Sequence, residues 1–120
     1  MQSFNQTIMI GRLTRDPESK SIQDVNKCTF SLAVNRSYTK DDGKRDTDFF
    51  QVVAWGKLAE ICQNYLKKGR LVLIDGRFQT RSYESNGKKN YVTELIADRM
   101  QILDSNAKES EVAEPMLQAA

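Results

Sequence analysis

Five segments of the chain have the residue pattern of β-strands, and the first two alternate apolar and polar residues as strands with one buried face do. The segments are Phe4–Leu13, Lys27–Arg36, Thr47–Trp55, Arg70–Tyr83 and Asn90–Leu103. The segment Lys57–Lys68 instead places apolar residues three and four positions apart, which predicts a helix. Lys67 and Lys68 suit the negative end of that helix, and Gly69 is placed to end it.

Turns and glycines add to this pattern of strands. The turn-rich, charged segment Ser37–Asp46 predicts an exposed hairpin loop after the second strand, and Asn86–Gly87 predicts a type I′ turn between the last two. Gly11 and Gly76 lie inside the first and fourth strands, where each allows the bend that barrel closure needs. The pattern indicates an all-β fold with one helix, a five-stranded OB-fold barrel with the helix between strands 3 and 4. A small β-sandwich is the alternative that the same pattern allows.

The length of 120 residues suits a single domain. We assign residues 1–104 to the OB-fold domain. Residues 105–120 show no periodicity, so they are expected to form a short disordered C-terminal tail. The domain has 17 basic and 13 acidic side chains, whereas the tail has one basic and three acidic ones. A mildly basic body is therefore followed by a slightly acidic tail.

The residue types argue against several kinds of site. The chain has no histidine, and Cys28 and Cys62 are far apart within apolar patterns. We therefore expect reduced core thiols and no metal site. No segment reaches the roughly 20 apolar residues of a membrane span. Met1–Asn5 has no export signal, so the expected location is the cytoplasm, without a membrane partner.

The third predicted strand has apolar side chains on both of its faces. Phe50 is assigned to the core, which leaves Phe49 and Trp55 together on the opposite face. Taken alone, a tryptophan at a strand end is as often a core residue as an exposed one. Two tyrosines are interpreted as packing residues, Tyr65 and Tyr91.

Aromatic and cationic residues occur together near the ends of several predicted strands. The aromatic candidates are Tyr38, Phe49, Trp55 and Tyr83. The cationic candidates are Arg12, Arg36, Lys57, Lys68 and Arg81. Aromatic rings allow bases to stack, and cations that follow the phosphates bind a single strand without reading its sequence. The combination predicts a protein that binds single-stranded nucleic acid.

Six blocks of the sequence, in order, resemble the bacterial-type single-stranded DNA-binding protein family. They are Ile8–Glu18 (IMIGRLTRDPE), Phe30–Arg36 (FSLAVNR), Thr47–Glu60 (TDFFQVVAWGKLAE), Tyr65–Gly69 (YLKKG), Gly76–Tyr83 (GRFQTRSY) and Tyr91–Glu94 (YVTE). The resemblance extends over roughly Phe4–Leu103, and six blocks in the same order make it specific. It implies sequence-tolerant binding and protection of single-stranded DNA during replication, recombination and repair, with no catalysis and no cofactor.

The same resemblance carries further implications. The stacking aromatics of the family fall on Tyr38, Phe49, Trp55 and Tyr83 of this chain. A homotetramer is implied, with the first strand at subunit contacts, in the bacterial cytoplasm and associated with the nucleoid. Long family members recruit replication and repair proteins through a strongly acidic tip, but Glu114–Ala120 has no acidic run and no aromatic residue.

Three other functions fit parts of the sequence. A metal-dependent enzyme needs carboxylates, but most aspartates fall in predicted turns and no histidine accompanies them. A protein-interaction module with the same fold would not need four aromatic residues on one groove. RNA binding is separated from DNA binding only by the family resemblance, because stacking is indifferent to the sugar.

Overall fold

The computed structural model describes residues 3–37, 43, 46–104 and 117–118. Its elements are β1 Thr7–Leu13, β2 Glu18–Ile22, β3 Val25–Asn35, β4 Thr47–Trp55, α1 Gly56–Tyr65, β5 Leu71–Ser85, β6 Lys88–Ile102 and β7 Leu117–Gln118. The five predicted strands correspond to β1, β3, β4, β5 and β6, and the predicted helix corresponds to α1. The two remaining strands, β2 and β7, are additions to the predicted set.

Five of these strands close into a barrel. β1 pairs antiparallel with both β3 and β5, while β3 pairs antiparallel with β4 and β5 with β6. A parallel pairing of β4 with β6 completes the ring, with Val52 opposite Leu95 and Val53 opposite Ile96. The helix lies between β4 and β5, the third and fourth strands of the barrel. This closed order confirms the predicted OB-fold.

Gly11 and Gly76 stand where a neighbouring strand passes too close for a side chain. A Cβ atom at Gly11 would lie 2.7 Å from the carbonyl oxygen of Ala33, and one at Gly76 would overlap the carbonyl oxygen of Ile96. The register of β5 and β6 shifts between Asp75 and Gly76. The residue left over by this shift is Asp98 of β6, so the irregularity beside Gly76 has the pattern of a β-bulge in β6, which increases the local twist.

Alternate residues of the strands fill the barrel interior, and α1 packs its apolar side against them. Fully buried strand residues include Leu32, Val52, Ile74, Leu95 and Met100. The helix contributes three buried residues, Leu58, Ala59 and Cys62. Phe50 is half-buried against this core, and its ring centroid lies 6.2 Å from that of Phe78. The assignment of Phe50 to the inner face is therefore confirmed.

Both cysteines are free thiols inside the protein. Burial raises the pKa of the Cys62 thiol, and the nearby Cys28 raises it further. Burial also raises the pKa of Cys28, against a smaller lowering by its hydrogen bond with Ser19. The two thiols are therefore protonated and unpaired, as the sequence predicts for core cysteines.

The strand β2 is an element that the alternation of the sequence does not predict. All five of its side chains are exposed, so no apolar period marks it. It forms a hairpin with the first residues of β3, and Gln23 and Asp24 at the tip have φ values of 51° and 64°. Two successive positive φ values are typical of a type I′ turn, here made without glycine. The second predicted strand consequently begins at Val25 rather than at Lys27.

The predicted end of the helix is wrong by several residues. The helix ends at Tyr65, and Leu66 is already extended, with φ −97° and ψ 148°, and buried in the core. Beyond it, the N–H of Lys68 donates to Oδ1 of Asp16 in the loop after β1, at 2.8 Å. The predicted last-turn lysines and the predicted terminating glycine therefore lie in a loop, because contacts with the end of β1 replace further helical turns.

Two predictions fall mainly on residues that the structure does not describe. The loop predicted at Ser37–Asp46 lies outside the described residues except for Ser37, Gly43 and Asp46. Within 105–120, only 117–118 are described, and these two residues form β7 opposite Arg99 and Met100 of β6. A two-residue strand is too short to show a period in the sequence. The division of the chain at residue 104 stays a prediction.

Candidate nucleic-acid interface

Three of the predicted aromatic residues lie on one continuous outer face of the sheet. Residues paired across neighbouring strands point to the same side. Phe49 and Trp55 share a side of β4 with Val53, which is paired with Ile96 of β6. The β5–β6 register extends that side to Tyr83. The exposed fractions of Phe49, Trp55 and Tyr83 are 66%, 40% and 47%, so all three rings are open to solvent.

Phe49 lines an open groove of about 500 Å³ between β1, β3 and β4. Phe49 lies opposite Ala33 of β3, and Ala33 lies opposite Arg12 of β1. The Nη1 atom of Arg12 donates to the carbonyl oxygen of Gly69 at 2.9 Å and pairs with Oδ2 of Asp104 at 3.0 Å. The groove thus combines an accessible ring with a guanidinium held in a fixed position.

Trp55 lies at the junction of β4 and α1. The following residue, Gly56, has a φ of 64°, a left-handed conformation that turns the chain from strand into helix. Lys27 lies opposite Trp55 on β3, and its Nζ atom is 5.3 Å from the ring centroid. An exposed cation–π contact contributes about 0.5–1 kcal/mol, whereas a stacked base contributes roughly 1–3 kcal/mol. A base can therefore displace the ammonium from the indole face.

Tyr83 lies on the β5–β6 hairpin beside Arg81, whose Cζ atom is 5.9 Å from the ring centroid. The Nε of Arg81 donates to Oε1 of Glu94 at 2.9 Å, and Nη2 donates to Oε2 at 3.4 Å. The side chain of Glu94 is only 6% exposed. These hydrogen bonds to Glu94 raise the pKa of the Arg81 guanidinium. Arg81 therefore lies next to Tyr83 as one half of an ion pair rather than as a free charge.

The part of the chain that forms these strands also matches a known protein family. A model of the single-strand binding protein family matches residues 4–103, which include the whole barrel. The chain belongs to this family. The fold, the order of the matched blocks and the outer aromatic residues are consistent with that membership.

Individual members of the single-strand binding family are close in sequence. The single-stranded DNA-binding protein of Caldanaerobacter subterraneus subsp. tengcongensis is 51% identical over 103 residues, covering 84% of this chain and 69% of that protein. Single-stranded DNA-binding protein 2 of Staphylococcus aureus strain COL is 50% identical over 103 residues, covering 84% of this chain and 74% of that protein. A solved structure of the Plasmodium falciparum SSB complex with ssDNA matches with a TM-score of 0.76 at 29% identity, covering 87% of this chain and 98% of that one.

The arginines and lysines of this family member differ in their availability to a ligand. Five arginines pair with carboxylates: Arg12 with Asp104, Arg36 with Asp48, Arg77 with Asp98, Arg81 with Glu94 and Arg99 with Asp75. Within the described ranges, seven lysines form no ion pair: Lys20, Lys27, Lys57, Lys67, Lys68, Lys88 and Lys89. A phosphate must compete with a carboxylate for a paired arginine but not for these lysines.

The predicted site residues form three groups. Arg12 and Phe49 share the groove by β1, and Lys68 adjoins it through the Gly69 carbonyl that Arg12 binds. Trp55 and Lys57 form the second group. Trp55 is six residues beyond Phe49 along β4, which is about 20 Å in an extended strand, and Lys57 follows two residues later. Arg81 and Tyr83 form the third group, on the β5–β6 hairpin.

Two predicted residues stand apart from these groups. Arg36 is held by carboxylates at the end of the β3–β4 pair and lies outside the three clusters. Tyr38 lies outside the described residues, so its role stays a prediction.

The interpretation of Tyr91 as a packing residue is wrong. Its side chain is 67% exposed, and the Nζ atom of Lys89 lies 5.9 Å from its ring centroid. Tyr65 on the helix is also exposed, by 37%. The β5–β6 hairpin extends past the barrel, so a residue there has no core to pack against on either face. Long polar flanks around Asn86–Gly87 are the signal in the sequence that marks this extension.

The described residues contain neither a cluster of metal ligands nor a membrane-spanning helix. No group of three or more histidine, cysteine, aspartate or glutamate side chains suited to a metal ion occurs among the described residues. No helix in those residues is long and apolar enough to cross a membrane.

Proposed function

We propose that this chain binds single-stranded DNA without sequence preference and protects it during replication, recombination and repair. Bases stack on Phe49, Trp55 and Tyr83, and on Tyr38, which follows β3 in the sequence, while lysines and arginines bind phosphates. The observation that carries the proposal is the common outer face of the three described rings, each at least 40% exposed. Large exposed aromatic side chains on one face are typical of a binding surface.

The separation of the rings favours an extended single strand over a duplex. Phe49 and Trp55 are about 20 Å apart along one strand, a distance that several nucleotides of an unpaired chain span. Bases in a duplex are already stacked on one another and turn their faces away from solvent. Ring faces also stack on any base, so the surface supports little sequence preference.

Trp55 provides the test because it is the only tryptophan in the sequence. Its fluorescence should be quenched by oligo(dT) and should change little with a duplex of equal length, at low and at high salt. Trp55→Ala should weaken binding with little change in the salt dependence, because stacking releases no counterions. If neither nucleic acid alters the fluorescence or binds in a filter assay, the chain is better explained as a protein-interaction module. A matched oligo(U) titration measures the preference between DNA and RNA.

We infer a non-enzymatic role in the bacterial cytoplasm, with the protein associated with the nucleoid. Family membership and bacterial relatives that are named single-stranded DNA-binding proteins support this role. Bound end-labelled oligonucleotide should be recovered at full length after incubation with and without Mg²⁺. Shortened or modified product would contradict the non-enzymatic role. Replication and repair proteins are proposed as further partners.

We also infer self-association into a homotetramer through β1. Its outward residues Ile8 and Ile10 are 64% and 49% exposed, which is unusual for large aliphatic side chains on neighbouring positions of one face. Sedimentation equilibrium should give four times the chain mass. Ile8→Glu should shift the protein toward smaller species, whereas the same change at the exposed β2 residue Lys20 should not.

A further inference from the structure

Two lysines and the tryptophan form one row across three strands. Lys20 of β2 lies opposite Lys27 of β3, and Lys27 lies opposite Trp55 of β4. All three side chains therefore point to the outer face. Side chains directly opposite each other in an antiparallel pair have Cβ atoms about 4.5–5.5 Å apart. The row thus places Lys27 next to the indole ring and Lys20 next to Lys27, on the side away from the ring.

This arrangement is electrostatically unfavourable in the free protein. Like charges directly opposite each other destabilise a sheet. Neither lysine is compensated, because neither forms an ion pair with any carboxylate in the described ranges. The nearest acid on this face of β2, Glu18, lies opposite Thr29 and pairs with neither of them. An anion bound between Lys20 and Lys27 would remove the repulsion.

The hairpin that carries the lysines is held against the rest of the protein. The Nδ2 of Asn26, the residue before Lys27, donates to Oε1 of Glu60 in α1 at 2.8 Å. Lys27 is itself half-buried, with its ammonium over the ring of Trp55. The two charges are therefore presented from a fixed backbone, next to a ring that accepts a base.

We propose that Lys20 and Lys27 form a phosphate site that extends the path of the single strand from Trp55 onto the β2–β3 hairpin. The base stacked on Trp55 takes the ring face, and the displaced Lys27 ammonium moves to a phosphate beside that base. Lys20 binds the same phosphate or the next one. The proposal rests on the proposed function, since it assigns the phosphate contacts on one side of Trp55. The sequence pattern did not indicate it, because it depends on the register of β2.

The test compares glutamine and arginine at both positions. Lys20→Gln/Lys27→Gln should reduce the magnitude of the log–log salt slope for oligo(dT) by about 0.7 where the two lysines share one phosphate and by about 1.4 where they bind two. Lys20→Arg/Lys27→Arg keeps both charges and should retain the slope of the wild type. Urea unfolding of all variants checks that the hairpin change leaves the fold intact. An unchanged slope in the glutamine variant, or an equal loss in the arginine variant, overturns the phosphate site.

A second measurement needs no DNA. Iodide is an anion and acrylamide is neutral, so the iodide quenching constant divided by the acrylamide quenching constant reports the electrostatic potential at Trp55. The glutamine variant should lower this ratio relative to the wild type, and an unchanged ratio would contradict the charged row. If the wild type binds oligo(dT) but the glutamine variant keeps its slope, the hairpin site alone fails. If the wild type binds no oligo(dT), the proposed function fails and this site fails with it.

Discussion

The guanidinium of Arg36 and the carboxylate of Asp48 form a two-point ion pair at the end of the β3–β4 hairpin. Nε lies 3.0 Å from Oδ2 and Nη2 lies 2.9 Å from Oδ1. Asp46 adds a second carboxylate, with Oδ2 3.7 Å from Nη1. The hydrogen bonds from Arg36 hold the pKa of Asp48 below its usual value. Asp48 therefore stays ionised through the neutral range, and the pair is lost only as the pH falls through this lowered pKa.

Removing the charge of Asp48 should weaken the hold on Arg36, which keeps its longer contact with Asp46, and make its guanidinium more available to phosphate. Asp48→Asn should make the salt slope for oligo(dT) steeper by up to about 0.7, the value of one phosphate contact to a single strand. Arg36→Gln/Asp48→Asn serves as the control and should show no steeper slope than the wild type. A steeper slope in the double variant would mean that the lost negative charge acts at long range and that Arg36 does not touch the strand.

Arg81 is expected to matter for stability as well as for binding. Arg81→Ala would leave the Glu94 carboxylate, which is only 6% exposed, without its partner. A buried charge that loses its partner is costly, whereas a neutral amide at the same place is tolerated. Arg81→Ala should therefore lower the urea midpoint more than Arg81→Ala/Glu94→Gln does. Equal midpoints for the two variants would show that Glu94 is hydrated after the change and that the pair contributes little to the fold.

Alternation and helical spacing predict the barrel because each strand carries its core residues two positions apart. That period is enough to separate Phe49 from Phe50 and to group Phe49 with Trp55. The spacing of apolar residues does not show which residues far apart in the sequence contact each other. Arg12 and Asp104 are 92 positions apart, and nothing in the local pattern indicates that they meet.

The Lys27–Trp55 contact depends on register in the same way. A shift of one residue in β3 would turn Lys27 to the other face of the sheet. The sequence thus predicts which residue types the surface contains, and the fold determines which cations are free.

Two adjacent phenylalanines give a matched test of binding against stability. Phe49→Ala should weaken oligo(dT) binding by about 1–3 kcal/mol, the contribution of one stacked base, with an unchanged urea midpoint because the ring is exposed. Phe50→Ala should instead cost about 1–3 kcal/mol of the free energy of unfolding, less than a fully buried phenylalanine, because Phe50 is half-buried against Phe78. Titrations and urea curves on both variants check this. A loss of stability in Phe49→Ala equal to that of Phe50→Ala would contradict the outward assignment of Phe49.

Two glycines should respond to alanine for different reasons. Gly56→Ala places a side chain in free space but in a left-handed conformation, which costs about 1–2 kcal/mol. Gly76→Ala would drive a Cβ into the carbonyl oxygen of Ile96, so β5 and β6 would have to separate at the bulge. Overpacking of this kind costs about 1–3 kcal/mol and sometimes more. The urea midpoint should therefore fall further for Gly76→Ala, and the opposite order would mean that the bulge can open at little cost.

The buried thiols predict how stability changes at alkaline pH. Burial raises the pKa of Cys28 and Cys62 in the folded protein, whereas unfolding returns each thiol to about 8.5. The unfolded chain therefore releases protons that the folded chain retains, and the free energy of unfolding should fall as the pH rises above about 8.5. Urea unfolding at pH 7 and pH 9.5 measures this, with Cys28→Ala/Cys62→Ala as the control for all other titrating groups.

In the native state at pH 8, a thiol reagent should modify neither cysteine, because the thiolate is the reactive form. Rapid modification of the native protein, or the same pH dependence in the double variant, would contradict the raised pKa of these thiols.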